Sequence, residues 1–474
     1  MRLEVPFCGP TYEAESPLIS PQECINFYLR PYPELGEGKM ALFGTPGLTE
    51  WIDLGVEGGI RGSIMFGNYL YVVAYDKMFQ VDSSGTKTEL GSLNTSNGLV
   101  GIDTNGLDVV VVDGPNGYVY DIATASFAQI TDEDFPGGDS ITQIDGYYLV
   151  NRPGTGQIYR SDWNDGSSWG GLAFSTAGGD PDNVIGLMAD HRDVWVFGEY
   201  TTEVWFNTGE ATFNFARIEG AFIEAGGTSH HAFTKANNAV YWLGKDKLGK
   251  GMVYQALGRV PKVISTTPIN NAIVKYDLSD AYMFSYQQEG HTHVVLTIPE
   301  ANETLVYDSS TGFWHKRSSI FNHINHRWRA MCHSFFANMN LVGDWSLSKL
   351  YKVDPDVYTD NEDPIISTRI SPVVSSNQKR ITVDCVRILL EPGVGLVTGD
   401  SQDMDPQALF SWSRNGGRSW LSEVDLPMGK IGEYNGVSYT HQLGQGRNWA
   451  FRIRISAAVK RIILGAVAEV EADE

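Results

Sequence analysis

Residues 103–121 read DTNGLDVVVVDGPNGYVYD, and this stretch decides the fold class. A turn containing Asn and Gly precedes the four consecutive valines Val109–Val112, and a second turn precedes a short strand with two tyrosines. Asn and Gly supply the positive backbone angles that tight hairpin turns need. A strand that is apolar at every position is typical of one covered on both faces. The stretch therefore predicts a β-hairpin buried within stacked sheets.

The same pattern of turn, apolar strand, turn and short strand recurs along most of the chain. The other copies begin at residues 66, 144, 190, 235, 282 and 335. The leading turns are separated by about 37–52 residues, which is the size of one four-stranded propeller blade. We therefore predict an all-β chain with a β-propeller of six or seven blades, with seven favoured. An array of β-sandwiches with coincidental spacing is the alternative.

The repeats divide the chain into three expected regions. Residues 1–54 are rich in Pro and Gly and are expected to form an extended N-terminal arm with a closing strand, which pairs with the last blade or reaches a neighbouring subunit. Residues 55–360 are expected to form the propeller. An acidic stretch with two prolines, residues 354–367, is expected to be a solvated linker. Strand-like alternation then resumes, so residues 361–474 are expected to form a separate C-terminal β-sandwich.

The excess of acidic over basic residues argues against one class of function, the binding of nucleic acid. The 474-residue chain carries a net charge of −22, with 57 acidic and 35 basic residues. Residues 368–474 contain 12 basic and 12 acidic residues, so the whole net charge belongs to the first three-quarters of the chain. Affinity for nucleic acid requires many Lys and Arg against phosphate. A nucleic-acid-binding outer surface is therefore not expected.

The cysteines and the apolar segments indicate the compartment. The four cysteines form no CxxC pair and are expected to be reduced thiols; they are Cys8, Cys24, Cys332 and Cys385. The N-terminal sequence MRLEVPF lacks the pattern of a secretory signal peptide. The longest apolar runs are far shorter than the ~18 residues of a membrane helix. We therefore expect assembly in a cytoplasm and no membrane partner.

Motifs for catalysis are sparse. The chain contains no GxSxG, HExxH, P-loop or dinucleotide-binding pattern, so neither an enzyme nor a cofactor is expected. Four histidines crowd residues 315–333, and they are His315, His323, His326 and His333. They are interpreted as turn or interface residues, with a metal site as the alternative. The acidic stretch at 354–363 lacks the sixth-position Gly of an EF-hand loop, so no metal site is expected there.

One local motif points towards glycans. Residues 413–420 read SRNGGRSW and resemble the Asp box of sialidases, S-x-D-x-G-x-[ST]-W, with Asn replacing Asp. The residues that match are Ser413, Asn415, Gly417 and Trp420. In sialidases this motif is a hairpin fold element and is not catalytic. A retaining sialidase also needs an arginine cluster for the sugar carboxylate. The candidate arginines show no such context, and they are Arg152, Arg192 and Arg327.

Several stretches in the same order resemble one family. They are CINFY (24–28), LFGTPGL (42–48), DVWVFG (193–198) with TEVWF (202–206), and LVYD (305–308) followed by Trp314. They are similar to motifs of the packaged-DNA stabilisation proteins of short-tailed bacteriophages, also called tail accessory factors or tail hub proteins. The residues that carry the resemblance are Asn26, Tyr28, Gly44, Thr45, Pro46, Gly47, Trp195, Gly198, Glu203, Tyr307 and Asp308.

The resemblance implies a non-enzymatic structural protein of the virion tail. Such a protein forms a hexameric hub below the portal and adapter ring, extends the DNA channel and retains the packaged DNA. It anchors the tail needle and the tailspikes or fibres, while genomic DNA passes through the lumen without sequence-specific binding. The alternative is a glycan-binding or glycan-cleaving, sialidase-like β-propeller.

Overall fold

The computed structural model describes residues 2–32, 40–249, 251–376 and 379–472, and nearly all elements in these ranges are strands. The chain forms two compact units. Unit 1 comprises Met1–Thr49, Glu303–Trp328 and Val353–Glu474. Unit 2 comprises Glu50–Asn302 and Arg329–Lys352. The predicted boundaries at residues 54 and 360 stay a prediction.

Among the described residues, five strands precede the first sheet of unit 2. They are β1 (Arg2–Val5), β2 (Glu23–Ile25), β3 (Phe27–Pro31), β4 (Met40–Gly44) and β5 (Gly47–Asp53).

Five antiparallel sheets then follow one another within unit 2. The first two sheets contain β6 (Ile60–Phe66), β7 (Tyr69–Ala74), β8 (Lys77–Asp82) and β9 (Lys87–Ser92), then β10 (Gly101–Thr104), β11 (Asp108–Val112), β12 (Gly117–Asp121) and β13 (Ser126–Gln129). The next two contain β14 (Ile141–Ile144), β15 (Tyr147–Asn151), β16 (Gln157–Asp162) and β17 (Asp165–Thr176), then β18 (Val184–Asp190), β19 (Asp193–Gly198), β20 (Thr202–Asn207) and β21 (Phe215–Ile223). The fifth contains β22 (Gly226–Gly227), β23 (Phe233–Ala236), β24 (Ala239–Lys245), β25 (Gly251–Leu257) and β26 (Val260–Val263).

A short helix, α1 (Thr267–Ile273), separates these sheets from the next eight strands. Those strands are β27 (Tyr282–Gln288), β28 (His291–Ile298), β29 (Glu303–Asp308), β30 (Phe313–Phe321), β31 (Ile324–Arg327), β32 (Ala330–Phe336), β33 (Met339–Asp344) and β34 (Lys349–Asp354). Strands β29, β30 and β31 belong to unit 1, so the sixth repeat supplies strands to both units.

The remaining elements belong to unit 1. They are β35 (Thr359–Asp360), β36 (Asp363–Pro364), β37 (Ser367–Ile370), β38 (Val374–Ser375), β39 (Ile381–Leu390), α2 (Ser401–Met404), β40 (Gln407–Ser413), β41 (Val424–Pro427), β42 (Ser438–Gly446), β43 (Asn448–Ile455) and β44 (Ile462–Ala472).

Unit 2 has the strand arrangement of a β-propeller. One early strand of each sheet contacts an early strand of the next sheet, and β32 contacts β6, so a closed cycle passes through β6, β10, β14, β18, β23, β27 and β32. The valines Val109–Val112 of β11 have no exposed surface, as the apolar run predicts. Seven blades stay a prediction, because of the strands β27–β34 only β27, β28, β32 and β33 lie wholly within unit 2, and β34 ends in unit 1.

The chain segment before the first repeat completes the last sheet of unit 2. Strand β5 lies beside β34. Lys349 Nζ lies 2.7 Å from the Glu50 carboxylate, and the Trp51 ring meets the edge of Phe336 at 6.1 Å. An early strand thus pairs with a late one, which removes a free edge from the propeller.

Unit 1 is a β-sandwich. One sheet has the order β3-β4-β44-β39-β42 with β1 on β44, and the other contains β30-β2-β37-β43-β40-β41. The core between them includes Phe27, Leu42, Val386, Phe451 and Ile463, all buried. The N-terminal segment is therefore not only an extended arm, because β1, β3 and β4 are strands of the sandwich.

The expectation of a solvated linker at residues 354–367 is wrong. Asp360 is 1% exposed, and it accepts a hydrogen bond from the Ser319 hydroxyl at 2.6 Å. The backbone N–H of Asn361 donates to the Leu48 carbonyl. Acidic composition indicated solvent exposure, but pairing with β5 places this segment inside unit 1.

Candidate functional site

Asn26 joins three distant segments of unit 1. It is 1% exposed, and its φ of 54° is one that Asn adopts more readily than most residues. Its Nδ2 donates to the Ser318 carbonyl at 3.0 Å, the Ser318 hydroxyl at 3.1 Å and the Ile366 carbonyl at 2.9 Å. Its Oδ1 accepts from the Ser318 N–H at 3.0 Å. A single amide side chain thus connects the end of β2 with β30 and the start of β37.

The Gly44–Gly47 turn is bound by the buried side chain of Arg461. Its guanidinium donates to the Thr45 and Ile365 carbonyls, each at 3.0 Å. Burial lowers the pKa of Arg461 to about 10, although the Asp360 carboxylate acts in the opposite direction. The guanidinium therefore stays charged at neutral pH and makes charge-assisted hydrogen bonds.

Arg317 binds the same turn from β30. It is 2% exposed and donates to the Pro46 carbonyl at 3.0 Å. Its guanidinium lies 3.5 Å from the centroid of the Trp328 ring, which is cation–π geometry. Two buried cations therefore hold a turn that contains no charged residue of its own.

The two glycines of this turn are required by close packing. A Cβ on Gly47 would approach the Val357 carbonyl oxygen to 2.6 Å, and one on Gly44 would approach Arg461 Nε to 2.7 Å. Both distances are shorter than real Cβ contacts allow. The Gly47 N–H also donates to the Val357 carbonyl at 2.8 Å. The Thr-Pro-Gly element is thus the surface on which the segment before β35 packs.

Tyr28 packs beside this turn on β3. Its ring centroid lies 6.1 Å from that of Phe43 and 6.4 Å from that of His315. Arg30 donates to the Tyr28 hydroxyl at 3.1 Å and lies over the Phe43 ring. The family motifs of the N-terminal segment therefore form one structural site, in which all these contacts lie within unit 1.

A third buried arginine, Arg369, was not found from the sequence. It has no exposed surface, and its guanidinium donates to the Phe7 carbonyl at 2.8 Å, the Gly9 carbonyl at 3.0 Å and the Thr11 hydroxyl at 2.7 Å. Burial lowers its pKa. An isolated Arg inside the short strand β37 was the available signal, and nothing in the sequence indicated which carbonyls it would bind.

Trp195 and Gly198 belong to one sheet of unit 2. Trp195 is buried, with its ring centroid 6.0 Å from that of Trp242 in the next sheet. A Cβ on Gly198 would lie 2.6 Å from the Asp182 carboxylate. That carboxylate accepts the Tyr200 N–H at 2.9 Å, so it holds the β19–β20 turn.

Glu203 is a buried carboxylate in the same sheet. It is 2% exposed and accepts the Gly179 N–H at 2.6 Å, the Trp205 indole N–H at 2.7 Å and the Arg217 guanidinium at 3.2 Å. A buried charge is tolerated when it is paired and hydrogen-bonded in this way. Its partners are structural, so the geometry assigns Glu203 a folding role.

Tyr307 and Asp308 end strand β29 in unit 1. Asp308 is 2% exposed and accepts the Ser310 N–H and the Thr311 hydroxyl, each at 2.9 Å, which fixes the turn to β30. The Tyr307 ring centroid lies 5.1 Å from that of Trp314, and burial raises the pKa of the phenol. The motif residues thus form three separate structural sites.

The two parts of the chain match two families that are both described for bacteriophage P22 Gp10. Residues 22–358 match the family described as bacteriophage P22 Gp10, beta-propeller, and residues 367–471 match bacteriophage P22 Gp10, beta-sandwich. The chain belongs to the bacteriophage P22 Gp10 family. It is therefore a structural protein of a phage tail, and its family stabilises packaged DNA within the virion.

Two of the similar solved structures are WD40 propeller domains. The WD40 propeller domain of Doa1 is 9% identical, with a TM-score of 0.41, over 64% of this chain and 97% of that one. The Pan2 WD40 domain of Neurospora crassa is 8% identical, with a TM-score of 0.42, over 66% and 95%. No curated protein sequence matches the chain. None of its described helices has the length and apolar character needed to span a membrane.

The hairpin that resembles an Asp box lies in the sandwich of this Gp10 family member, between β40 and β41. The Ser413 hydroxyl donates to Asn415 Oδ1 at 2.8 Å and accepts the Gly417 N–H at 2.8 Å. Asn415 Oδ1 also accepts the Ser419 N–H at 3.0 Å. The Asn side chain therefore makes the turn contacts expected of the motif's Asp.

The aromatic residue of this hairpin packs within unit 1. The Arg452 guanidinium lies 4.7 Å from the centroid of the Trp420 ring. The three arginines considered for a sugar carboxylate belong to different units, because Arg152 and Arg192 lie in unit 2 and Arg327 in unit 1. The hairpin therefore acts as a fold element of the sandwich.

The clustered histidines are also divided between the units. His315, His323 and His326 lie in unit 1, and His333 lies in unit 2. Burial lowers the pKa of His333, whose ring is 3.0 Å from Asn340 Oδ1. Within the described residues, no group of three or more His, Cys, Asp or Glu is arranged to hold a metal.

Proposed function

We propose that the chain is the hexameric tail hub of a short-tailed phage. In this role it extends the DNA channel below the portal and adapter ring, anchors the tail needle and tailspikes or fibres, and retains packaged DNA. The observation that supports this most strongly is the consecutive match of both parts of the chain to the phage Gp10 propeller and sandwich families. This function requires no catalysis, cofactor or membrane.

The construction of unit 1 supports a load-bearing role. Its N-terminal strands are bonded to segments hundreds of residues later through Asn26, Arg369 and Arg461. All three side chains are buried. The hydrogen bonds of Arg369 and Arg461 are charge-assisted, and Asn26 makes several hydrogen bonds. A unit whose core combines the early strands β1, β3 and β4 with the late strands β39, β43 and β44 resists the separation of either group, which suits a channel that holds DNA under pressure.

The charge supports passage of DNA without adhesion. Six copies at −22 give a ring of about −130, and all of that net charge lies in the first three-quarters of the chain. If acidic surfaces line the lumen, phosphate is repelled and DNA slides past them. A six-fold ring also needs head-to-tail contacts between two different surfaces of each copy.

The alternative, a glycan-binding or glycan-cleaving propeller, has weaker support. Its sequence basis is the hairpin at 413–420, and this hairpin lies in the sandwich with its polar side chains engaged in its own turn. Saturable oligosaccharide binding or hydrolysis by the purified chain would favour this alternative.

The test is cryo-electron microscopy of virions in which this chain carries a C-terminal epitope tag. Six tags around the channel, between the portal and adapter complex and a central needle, are the expected result. Tag density on fibres or spikes, or its absence from the virion, would exclude the hub. An N-terminal deletion is a poor substitute, because removing Phe27 and Leu42 would take residues from the core of unit 1.

A further inference from the structure

A cleft in unit 1 is lined by four arginines and, among the residues that the structure describes, by no acidic residue. It has a volume of about 700 Å³ and lies between the hairpin at 413–420 and the strands β42 and β43. The arginines are Arg380, Arg414, Arg418 and Arg447. Such a volume is within the range of ligand-binding clefts. We call this feature the arginine cleft.

The arginine cleft differs from the rest of the sandwich surface in its lack of counter-ions. Elsewhere in unit 1, Arg452 and Arg454 share Glu423, Arg387 pairs with Glu469, and other exposed cations also have acidic partners. Within the described part of residues 368–474, the exposed cations without an acidic partner are the four arginines of the cleft and Lys379, which precedes Arg380. In a chain with a net charge of −22, these cations are concentrated in one place.

The floor of the cleft is rigidly built. Arg414 donates to the Leu443 carbonyl, and its guanidinium packs against Gly444, where a Cβ would be 2.6 Å from Nη2. Gly444 has a φ of 90°, so the bulge on which Arg414 rests favours glycine. The Gly416 N–H donates to the Asn448 carbonyl at 2.8 Å, which fixes the hairpin to β43.

The remaining arginines are available to a ligand. Arg380, Arg418 and Arg447 are exposed, and neutral amide side chains from Gln445 and Asn448 line the same cleft. Guanidinium groups bind carboxylates with two parallel hydrogen bonds, and amides pair with peptide groups. The cleft therefore offers partners for both the side chains and the backbone of an acidic peptide.

We propose that the arginine cleft is a docking site for a carboxylate-rich segment of a partner polypeptide. Charge complementarity favours a short segment over a long polyanion. Unit 1 as a whole has more acidic than basic residues, so a DNA duplex that extends beyond the cleft meets a net negative surface. A segment of a few residues places its carboxylates within the cleft. This proposal does not rest on the hexameric ring.

The test measures binding of a fluorescein-labelled hexaglutamate peptide to the full chain by fluorescence anisotropy at low salt. The double variant Arg418→Ala/Arg447→Ala should bind about tenfold more weakly, because two of the exposed cations are lost. The matched control, Arg192→Ala, removes an exposed arginine of unit 2 and should bind as the unaltered chain does. Arg418→Lys/Arg447→Lys, which keeps the charge but not the guanidinium fork, should bind with intermediate affinity.

Three results would overturn the proposal. The first is no binding of hexaglutamate by the unaltered chain, and the second is equal binding by the double Ala variant. The third is preferential binding of a labelled DNA duplex of the same charge, lost in that variant, which would identify a phosphate site instead. The altered side chains are exposed, and circular dichroism of each variant will confirm that the fold is retained.

Discussion

The two units are stabilised over very different distances along the chain. In unit 2, the buried carboxylate of Glu203 bonds to Gly179, which is 24 residues away. The five sheets from β6 to β26 are each made from consecutive strands, and β5 beside β34 is the long-range exception. In unit 1, Asn26 bonds to Ile366 across 340 residues and Arg461 bonds to Thr45 across 416 residues. Apart from its closure by β5, the propeller is therefore a series of local structures, whereas the sandwich is held by contacts between early and late segments of the chain.

This difference in contact distance predicts how each unit responds to the loss of one hydrogen-bonding side chain. Closing a long loop costs conformational entropy, which the contacts that close it must offset. Loss of one buried hydrogen-bonding side chain in unit 1 should therefore destabilise several segments together. Loss of one tie in unit 2 should affect one sheet and its neighbour, since each blade mainly contacts the adjacent ones.

The largest effect is expected for Arg461→Met. The change removes a buried cation and leaves the Thr45 and Ile365 carbonyls without their donors, so unit 1 should lose about 4 kcal/mol of stability. Hydrogen-exchange mass spectrometry should show faster exchange in β4 and β44. Peptides from β11 and β12 should be unchanged.

The control for this variant is Arg387→Met. Arg387 is half exposed and pairs with Glu469 at 3.3 Å, so its loss should cost far less stability than the loss of Arg461. If both variants show the same hydrogen exchange in β4 and β44, the buried guanidinium of Arg461 does not contribute much to the connection between the early and late segments of unit 1. Faster exchange in β11 would contradict the confinement of the effect to unit 1.

A somewhat smaller effect is expected for Asn26→Ala. The change removes the donors to Ser318 and Ile366 and places alanine at a positive φ, for a total cost of about 3 kcal/mol. Asn26→Gly separates the two causes, because glycine adopts this backbone conformation without strain. Urea denaturation followed by exchange in β2, β30 and β37 will measure both variants, and an unaltered exchange rate in β30 would exclude the proposed connection.

Glu203→Gln should have a smaller and more local effect. An amide oxygen can replace only one of the two carboxylate oxygens that accept from Gly179, Trp205 and Arg217, so about 2 kcal/mol should be lost. Faster exchange should be confined to β18–β21 and the sheet that follows. Exchange that spreads to all five sheets would show that the blades unfold as one cooperative body.

The same contrast explains what the sequence could predict. The valines Val109–Val112 and their repeated turns predict the propeller, because strand burial and turn conformation depend on neighbouring residues. The motif residues Asn26 and Gly47 were identified by resemblance, but their partners at Ser318 and Val357 were not. Long-range hydrogen bonds leave no periodic signal in a single sequence. The incorporation of β1, β3 and β4 into the sandwich was missed for the same reason.

The buried position of Asp360 could not be predicted from composition either. Five acidic residues and two prolines within residues 354–367 are typical of an exposed linker. The burial of Asp360 depends on Ser319, which lies 41 residues earlier, and on the nearby cation of Arg461. Charged side chains are buried only where partners are assembled, and the assembly is a property of the tertiary fold.

The smallest effect is expected for Asn415→Asp, which tests whether distance along the chain or membership of unit 1 decides the response. Asn415 lies in unit 1, but its side-chain partners Ser413 and Ser419 are two and four residues away. A carboxylate can accept the same N–H and both hydroxyls, and the nearby Arg414 and Arg418 should lower its pKa, so the folded state should gain about 0.5 kcal/mol at pH 7. Because that pKa is depressed, the gain in stability is present above pH ~4 and is lost as the carboxylate is protonated at lower pH.

Thermal unfolding at pH 7 and pH 3 measures this gain in stability. The control is Asn415→Ala, which should be destabilised at both pH values. If Asn415→Asp lost several kcal/mol of stability, even short-range hydrogen bonds in unit 1 would be essential to its fold. Distance along the chain would then not explain why the two units differ.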